Sequence, residues 1–247
     1  MSLLQTDDVA VRFGGVMALA GVTLQARAGV VTGLIGPNGA GKTTLFNVVS
    51  GLQAPTRGKV FLDGKDVTRK PVHHRARLGL ARTFQRLEIF GSLSVRDNVR
   101  VACEIRRRYT RTRRDADEVT RSLLELTGIA HLADQRADTL STGQARLTEL
   151  ARALATEPRL LLLDEPGSGL DSAESEEFGQ ILVDLAAEGL GILMVEHDME
   201  LVMRVCGHIY VLDFGELIAE GPPEAIRADK RVQAAYLGDE ELQAAGR

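Results

Sequence analysis

Residues Gly36-Pro37-Asn38-Gly39-Ala40-Gly41-Lys42-Thr43-Thr44 match the pattern G-x-x-x-x-G-K-[ST], a loop that cradles nucleotide phosphates. The chemistry follows from residue type and spacing. Glycines let successive backbone N–H groups converge on phosphate oxygens without interference from a Cβ, and a helix N-terminus behind them adds partial positive charge. Lys42 is spaced to reach the β- and γ-phosphates, and the Thr43 hydroxyl is an oxygen ligand for Mg2+. A second reactive group is Asp164-Glu165-Pro166, which closes the apolar run Arg159-Leu160-Leu161-Leu162-Leu163. Carboxylates at the end of a buried strand are costly to desolvate unless a cation offsets them. Asp164 is therefore expected to hold Mg2+, directly or through water, and Glu165 to accept a proton from an attacking water. Acidic residues also end strands as simple turn formers; the phosphate loop upstream favours the catalytic reading.

Each group needs an element to hold it. Val30-Val31-Thr32-Gly33-Leu34-Ile35 reads as a buried strand leading into the loop, and Thr44–Ser50 reads as the start of the helix behind it. Four consecutive leucines cannot alternate in and out, so Leu160–Leu163 predicts a strand buried on both faces, as in a parallel sheet. Ligands of such sheets gather at the carboxyl ends of the strands. Leu140-Ser141-Thr142-Gly143-Gln144 precedes a helix with Leu147, Leu150, Ala151 and Leu154 on one face. Ser141 and Gln144 have the spacing of a capping box, and the same helix start is a potential anion site. Residues 1–85 are rich in strand signals. Residues 86–157 lack them and predict helices from about Ser94, from about Asp115 to Thr127, and after Ser141. Residues 158–247 return to strands and finish with helices.

Composition bounds the reading. At 247 residues, 44% of them hydrophobic, the chain can bury one large α/β core, or a core with a small subdomain. A net charge of −4 and a pI near 5.8 argue against a nucleic-acid surface. Cys103 and Cys206 have neither metal-ligand nor disulfide spacing and predict buried, reduced thiols. Charge-free stretches such as Phe13–Ala26 fall short of the ~18–20 apolar residues a membrane span needs. Met1–Asp8 lacks the basic start of a signal peptide. The chain is thus expected to be soluble and to reach a membrane only through a partner. The basic run Arg106–Arg114 fits either a solvated helix end or a surface for anionic lipid headgroups or a partner.

The motifs and their order resemble the ATP-binding cassette family, whose signature is Leu-Ser-Gly-Gly-Gln, across essentially the whole chain. The resemblance implies an α/β fold: a P-loop NTPase (RecA-like) core formed by residues 1–85 and 158–247, with an antiparallel β subdomain and an inserted α-helical subdomain, 86–157. It implies ATP and Mg2+ as ligands, and Ser141, Gly143 and Gln144 closing over the ATP of another subunit. Phe13 matches the aromatic that stacks on adenine, a core Phe being the alternative. Gln85 matches the glutamine that senses Mg2+ and the attacking water. Ser168-Gly169-Leu170-Asp171 matches the loop that touches the opposite subunit. His197, after Gly191–Glu196, matches the switch histidine at the γ-phosphate; His73, His74, His131 and His208 match nothing. Thr142 departs from the family by replacing the first signature glycine, and Ala145-Arg146 stands where Gln-Arg often follows. Threonine disfavours φ > 0, so the backbone at 142 is expected in an ordinary region.

No Asn-Lys-x-Asp motif supports a GTPase, and 247 residues cannot hold two cassettes or a coiled-coil arm. The resemblance therefore implies the ATPase subunit of a transporter, with a soluble non-transport ATPase as the other class. Val11–Gly15, Ala81–Gln85, Glu196-His197-Asp198-Met199 and the tail Val232–Gly238 are similar to the larger ATP-binding subunit of bacterial branched-chain amino acid importers. Relatives serving urea or amide uptake and lipopolysaccharide export are similar too. The implied partners are a second ATPase subunit (non-identical, or a second copy), transmembrane permease subunits and, indirectly, a solute-binding protein. The implied location is the cytoplasmic face of the inner membrane.

Overall fold

Two sheets of different character meet at the phosphate loop. The computed structural model describes residues 2–110 and 114–236. The first sheet is antiparallel and contains β1 (Ser2–Phe13), β2 (Val16–Val22), β3 (Gln25–Arg27), β5 (Arg57–Leu62) and β6 (Lys65–Asp66). Its order is β2-β1-β5-β6, with β3 paired to β1. The second contains β4 (Val31–Ile35), β7 (Leu80–Arg82), β8 (Leu160–Asp164), β9 (Gly191–Val195), β10 (His208–Asp213) and β11 (Glu216–Gly221). It runs β11-β10-β4-β9-β8-β7, parallel throughout except for the β10–β11 pair. The helices are α1 (Lys42–Ser50), α2 (Val72–Arg77), α3 (Val95–Thr110), α4 (Ala116–Leu126), α5 (Thr142–Leu154), α6 (Ser172–Ala187), α7 (Met199–Val205) and α8 (Pro223–Ala228).

Every residue of β4, β8 and β9 is buried, as the unbroken apolar runs require of strands covered on both faces. The pleat sorts their side chains into two cores. Leu160, Leu162, Leu193 and Val195 join Leu4, Leu19, Leu45 and Phe46 between the parallel sheet, α1 and the antiparallel sheet. Leu161, Leu163, Ile192 and Met194 face the other way, onto Leu150 of α5, Phe178 and Leu182 of α6, and Leu201 of α7. Burying each such side chain contributes about 1.5–3 kcal/mol. A third core, with Val95, Val99, Cys103, Leu124 and Ala151, joins α3, α4 and α5.

The predicted helices begin close to where the sequence places them, at Val95, Ala116 and Thr142. Helix α1 begins at Lys42, two residues before the expected start, because Gly41 already supplies the turn that enters it. The far end of α1 is tied down by Arg75 of α2. This guanidinium is 1% exposed and donates to the carbonyls of Val48 and Val49, each at 2.7 Å, and to those of Lys70 and Thr68. Burial lowers its pKa to about 10. Cys103 and Cys206 are buried free thiols. In the basic run, Arg106 and Arg114 both approach Glu157, at 3.7 and 3.6 Å, and Arg107 pairs with Glu104; residues 111–113 lie outside the described residues. Among the described residues no helix is long and apolar enough to cross a membrane.

Candidate nucleotide site

The carboxyl ends of β4, β8 and β9 lie side by side, so the loops that follow them share one edge of the sheet. After β4 comes the glycine loop. Gly36 has φ +149°, and a Cβ there would lie 1.9 Å from the Leu212 carbonyl oxygen. At Gly41, φ is +106° and a Cβ would meet the Ala18 oxygen at 2.6 Å. No residue with a side chain fits either place. Lys42 is 6% exposed, and its Nζ donates to the carbonyls of Gly36 (2.6 Å) and Pro37 (2.8 Å). It therefore folds back along its own loop, while Thr43 on the first turn of α1 is exposed and Thr44 is half-buried. The Gly215 N–H donates to Ala40, bracing the loop against the β10–β11 turn. Phe13, the last residue of β1, is 51% exposed, which removes it from the core.

After β8 comes the carboxylate pair. Asp164 is 4% exposed and its Oδ2 accepts a 2.8 Å hydrogen bond from Arg82 of β7. The other arm of the Arg82 fork donates to Asn47 Oδ1 (2.8 Å) and Ser50 Oγ (3.0 Å) on α1. The guanidinium also lies over the rings of Phe84 and Phe46. A buried cation thus joins Asp164 to the helix that follows the phosphate loop. In the sequence Arg82 stands out only as part of the run Ala81–Gln85, although a charged residue on a short strand inside the core is itself a signal.

Glu165 brings the separate motifs together. Its Oε2 accepts from Gln85 Nε2 at 2.8 Å, and its Oε1 accepts from His197 Nε2 at 3.0 Å. A carboxylate oxygen accepts, so this geometry puts the imidazole proton on Nε2. Glu165 has φ +51°, a left-handed conformation that costs a non-glycine residue about 1–3 kcal/mol and concentrates at functional sites. Its carbonyl oxygen accepts from the Ser168 N–H, closing a tight turn. The segment bearing Gln85 is held by α5: Arg146 donates to the carbonyls of Phe84 and Gln85, and the buried partner of Arg146, Glu149, accepts from the Glu88 N–H. Burial pushes the Glu149 carboxyl up from its ordinary value. The sequence marks Arg146 only as part of a departure from the family's Gln-Arg and gives no sign of Glu149.

At the start of α5 the capping box is complete: Gln144 N donates to Ser141 Oγ (3.2 Å) and Ser141 N to Gln144 Oε1 (3.1 Å). Thr142 is absent from the positive-φ residues, as expected. Its methyl group packs on Gly169, where a Cβ would come within 2.8 Å. Gly143 is buried against the Glu174 carboxylate of α6, 2.3 Å from where its Cβ would be. The residue after Ser141 therefore touches the loop Ser168–Asp171, linking two motifs 20 or more residues apart.

Comparison with known proteins agrees with this geometry. The profile described as ABC transporter matches residues 19–168. The chain belongs to the ABC transporter family. It is an ATP-binding cassette subunit, and these subunits bind and hydrolyse ATP to drive transport. A second profile, described as branched-chain amino acid ATP-binding cassette transporter, matches residues 216–241. The cassette is 38% identical to the high-affinity branched-chain amino acid transport ATP-binding protein BraF of Pseudomonas aeruginosa, covering 96% of this chain and 98% of that one. It is 37% identical to the lipopolysaccharide export system ATP-binding protein LptB of Haemophilus influenzae, covering 97% and 99%. The crystal structure of the ADP conformation of MJ1267, an ATP-binding cassette of an ABC transporter, superposes with a TM-score of 0.86 at 32% identity, covering 96% and 99%.

The oxygen donors suit a hard cation. The Thr43 hydroxyl, the Gln85 amide oxygen and the Asp164 carboxylate are ligand types that Mg2+ takes. Among the described residues no three His, Cys, Asp or Glu side chains are grouped to hold a metal by themselves. Nucleotide oxygens and water would complete such a shell.

Proposed function

We propose that this cassette powers a branched-chain amino acid importer from the cytoplasmic face of the membrane. The observation that carries the solute class is the match of residues 216–241 to the branched-chain amino acid cassette profile. In this reading residues 36–44 wrap the phosphates of ATP, Lys42 turns from its own loop carbonyls toward the β- and γ-phosphates, and Phe13 offers its exposed ring to adenine. Thr43, Gln85 and Asp164 hold Mg2+, which supplies positive charge to the phosphate oxygens. Glu165 accepts the proton of the attacking water. Each of its oxygens keeps acceptor capacity beside the bonds from Gln85 and His197, which fix its direction. Ser141, Gly143 and Gln144 close over the ATP of a second cassette, so that contacts made only in the closed pair drive closure. Residues 86–157 act as a helical subdomain between the core, 1–85 and 158–247, and the permease. Exposed Leu52, Val72, Phe84, Phe90 and Ile105 offer that permease an apolar surface.

Reconstitution in vesicles with a branched-chain amino acid permease and its solute-binding protein tests this. Leucine-loaded binding protein should raise ATP turnover. The second reading, lipopolysaccharide export, is favoured by the similarity to LptB. Turnover indifferent to leucine and raised by lipopolysaccharide would select it.

A further inference from the structure

Glu165 and His197 stand on different loops, one after β8 and one after β9, yet their side chains meet at 3.0 Å. One buried carboxylate spans the two loops. Glu196 is 3% exposed and directly follows β9. Its Oε1 accepts the Gly167 N–H at 2.5 Å, and its Oε2 accepts the N–H groups of His197 (2.8 Å) and Asp198 (3.2 Å). Three main-chain donors therefore converge on one acceptor-only group.

The surroundings are shaped to this contact. A Cβ on Gly167 would lie 2.8 Å from Glu196 Oε1 and 3.2 Å from Leu201 Cδ2, so only glycine brings the backbone this close. The same loop is tied to β9 by Glu165 N donating to Val195 O, and it turns on itself through Leu170 N donating to Gly167 O. Asp198 in turn caps α7 through the N–H groups of Glu200 and Leu201. The turn that holds Glu165 in its left-handed conformation thus hangs on Glu196 through Gly167, two residues after Glu165.

We infer that Glu196 is a positioning residue for ATP hydrolysis: it sets the loop 165–171 against His197 and so fixes where Glu165 acts. The inference rests on the roles proposed for Glu165 and His197. A carboxylate is required because both oxygens accept. Glutamine offers one acceptor and one amide group, and that amide would confront an N–H it cannot pair with. The phosphate loop is carried on β4 and α1, so nucleotide affinity does not depend on this brace.

The test uses the complete transporter with wild-type, Glu196→Gln and Glu196→Asp cassettes. Turnover, KM for ATP, ATP affinity of the isolated subunit and amide hydrogen exchange are measured. Glu196→Gln should lower kcat by about tenfold or more, with KM and affinity within about twofold of wild type. Exchange should quicken in 165–171 and stay unchanged in 36–44. Glu196→Asp, which keeps two acceptors on a shorter arm, should give a smaller loss with the same split, and it decides the matter if the Gln variant does not fold. Unchanged kcat would overturn the inference. So would parallel losses of kcat, affinity and thermal stability, since those mark a structural role alone. A parallel measurement on Glu165→Gln separates the two ideas: full activity there sinks the role of Glu165 whatever Glu196 does.

Discussion

Gln85 and Glu165, eighty residues apart in the chain, share a 2.8 Å hydrogen bond at the ligand edge of the parallel sheet. His197 donates to the other oxygen of the same carboxylate. The proposed base is therefore oriented from two sides. Replacing His197 with Ala leaves Oε1 without this donor and should lower turnover about 10–100-fold while ATP binding persists. Steady-state kinetics beside equilibrium nucleotide binding would show it; turnover unchanged by His197→Ala would remove the histidine from the mechanism.

Lys42 and Ser141 should separate binding from assembly. Lys42→Ala removes a cation within the same chain and should weaken ATP binding by the isolated subunit about tenfold or more. Ser141→Arg should leave that binding intact and abolish stimulation by the partner cassette. Calorimetry on the lone subunit gives the first answer and turnover in the complex the second. Loss of ATP binding by the lone Ser141→Arg subunit would contradict a signature that acts across the interface.

Arg82 and Asp164 make a buried ion pair, with side chains 8% and 5% exposed. Removing one partner strands the other. Arg82→Met should therefore destabilise the fold by about 3–5 kcal/mol, and Arg82→Met with Asp164→Asn by clearly less. Denaturant unfolding of the two variants would measure this. Equal losses would mean that Arg82 matters through its packing on Phe46 and Phe84 and its bonds to α1.

Burial first, and the charge of Glu196 second, push the Cys206 thiol up to about 12. A folded-state pKa above the unfolded value means that the unfolded chain loses its proton first as pH rises. Stability from this group is complete below pH 9 and declines between 9.0 and about 12. At about pH 8, alkylation of Cys206 should proceed only as fast as the protein opens. Fast labelling of the native protein would show that the thiol is accessible and its pKa ordinary.

What the sequence made legible was local. The strand, glycine loop and helix around Lys42, the doubly buried leucine strand before Asp164 and the capping box at Ser141 each depend on residues within a few positions of one another. The family resemblance then implied roles for Gln85 at Mg2+ and for His197 at the γ-phosphate, and the structure brings both side chains to Glu165. What stayed hidden depends on contacts between distant charged residues that look solvated when read singly. Arg82 reaches across 82 positions to Asp164, Glu196 across 29 to Gly167, and Arg146 across 61 and 62 to the carbonyls of Gln85 and Phe84. Hydrophobic periodicity carries no information about these pairings. The packing of Thr142 on Gly169 was hidden for the same reason: the chain folds back before the two can meet.

Glu165 is proposed as the base in a site completed by a second cassette. Glu165→Gln keeps the shape and the hydrogen-bonding length and loses the base. In the presence of partner and permease, turnover should fall by about 100-fold or more, ATP should still bind, and the closed ATP-bound pair should accumulate on size-exclusion chromatography. Turnover within about tenfold of wild type, with no such accumulation, would contradict the account.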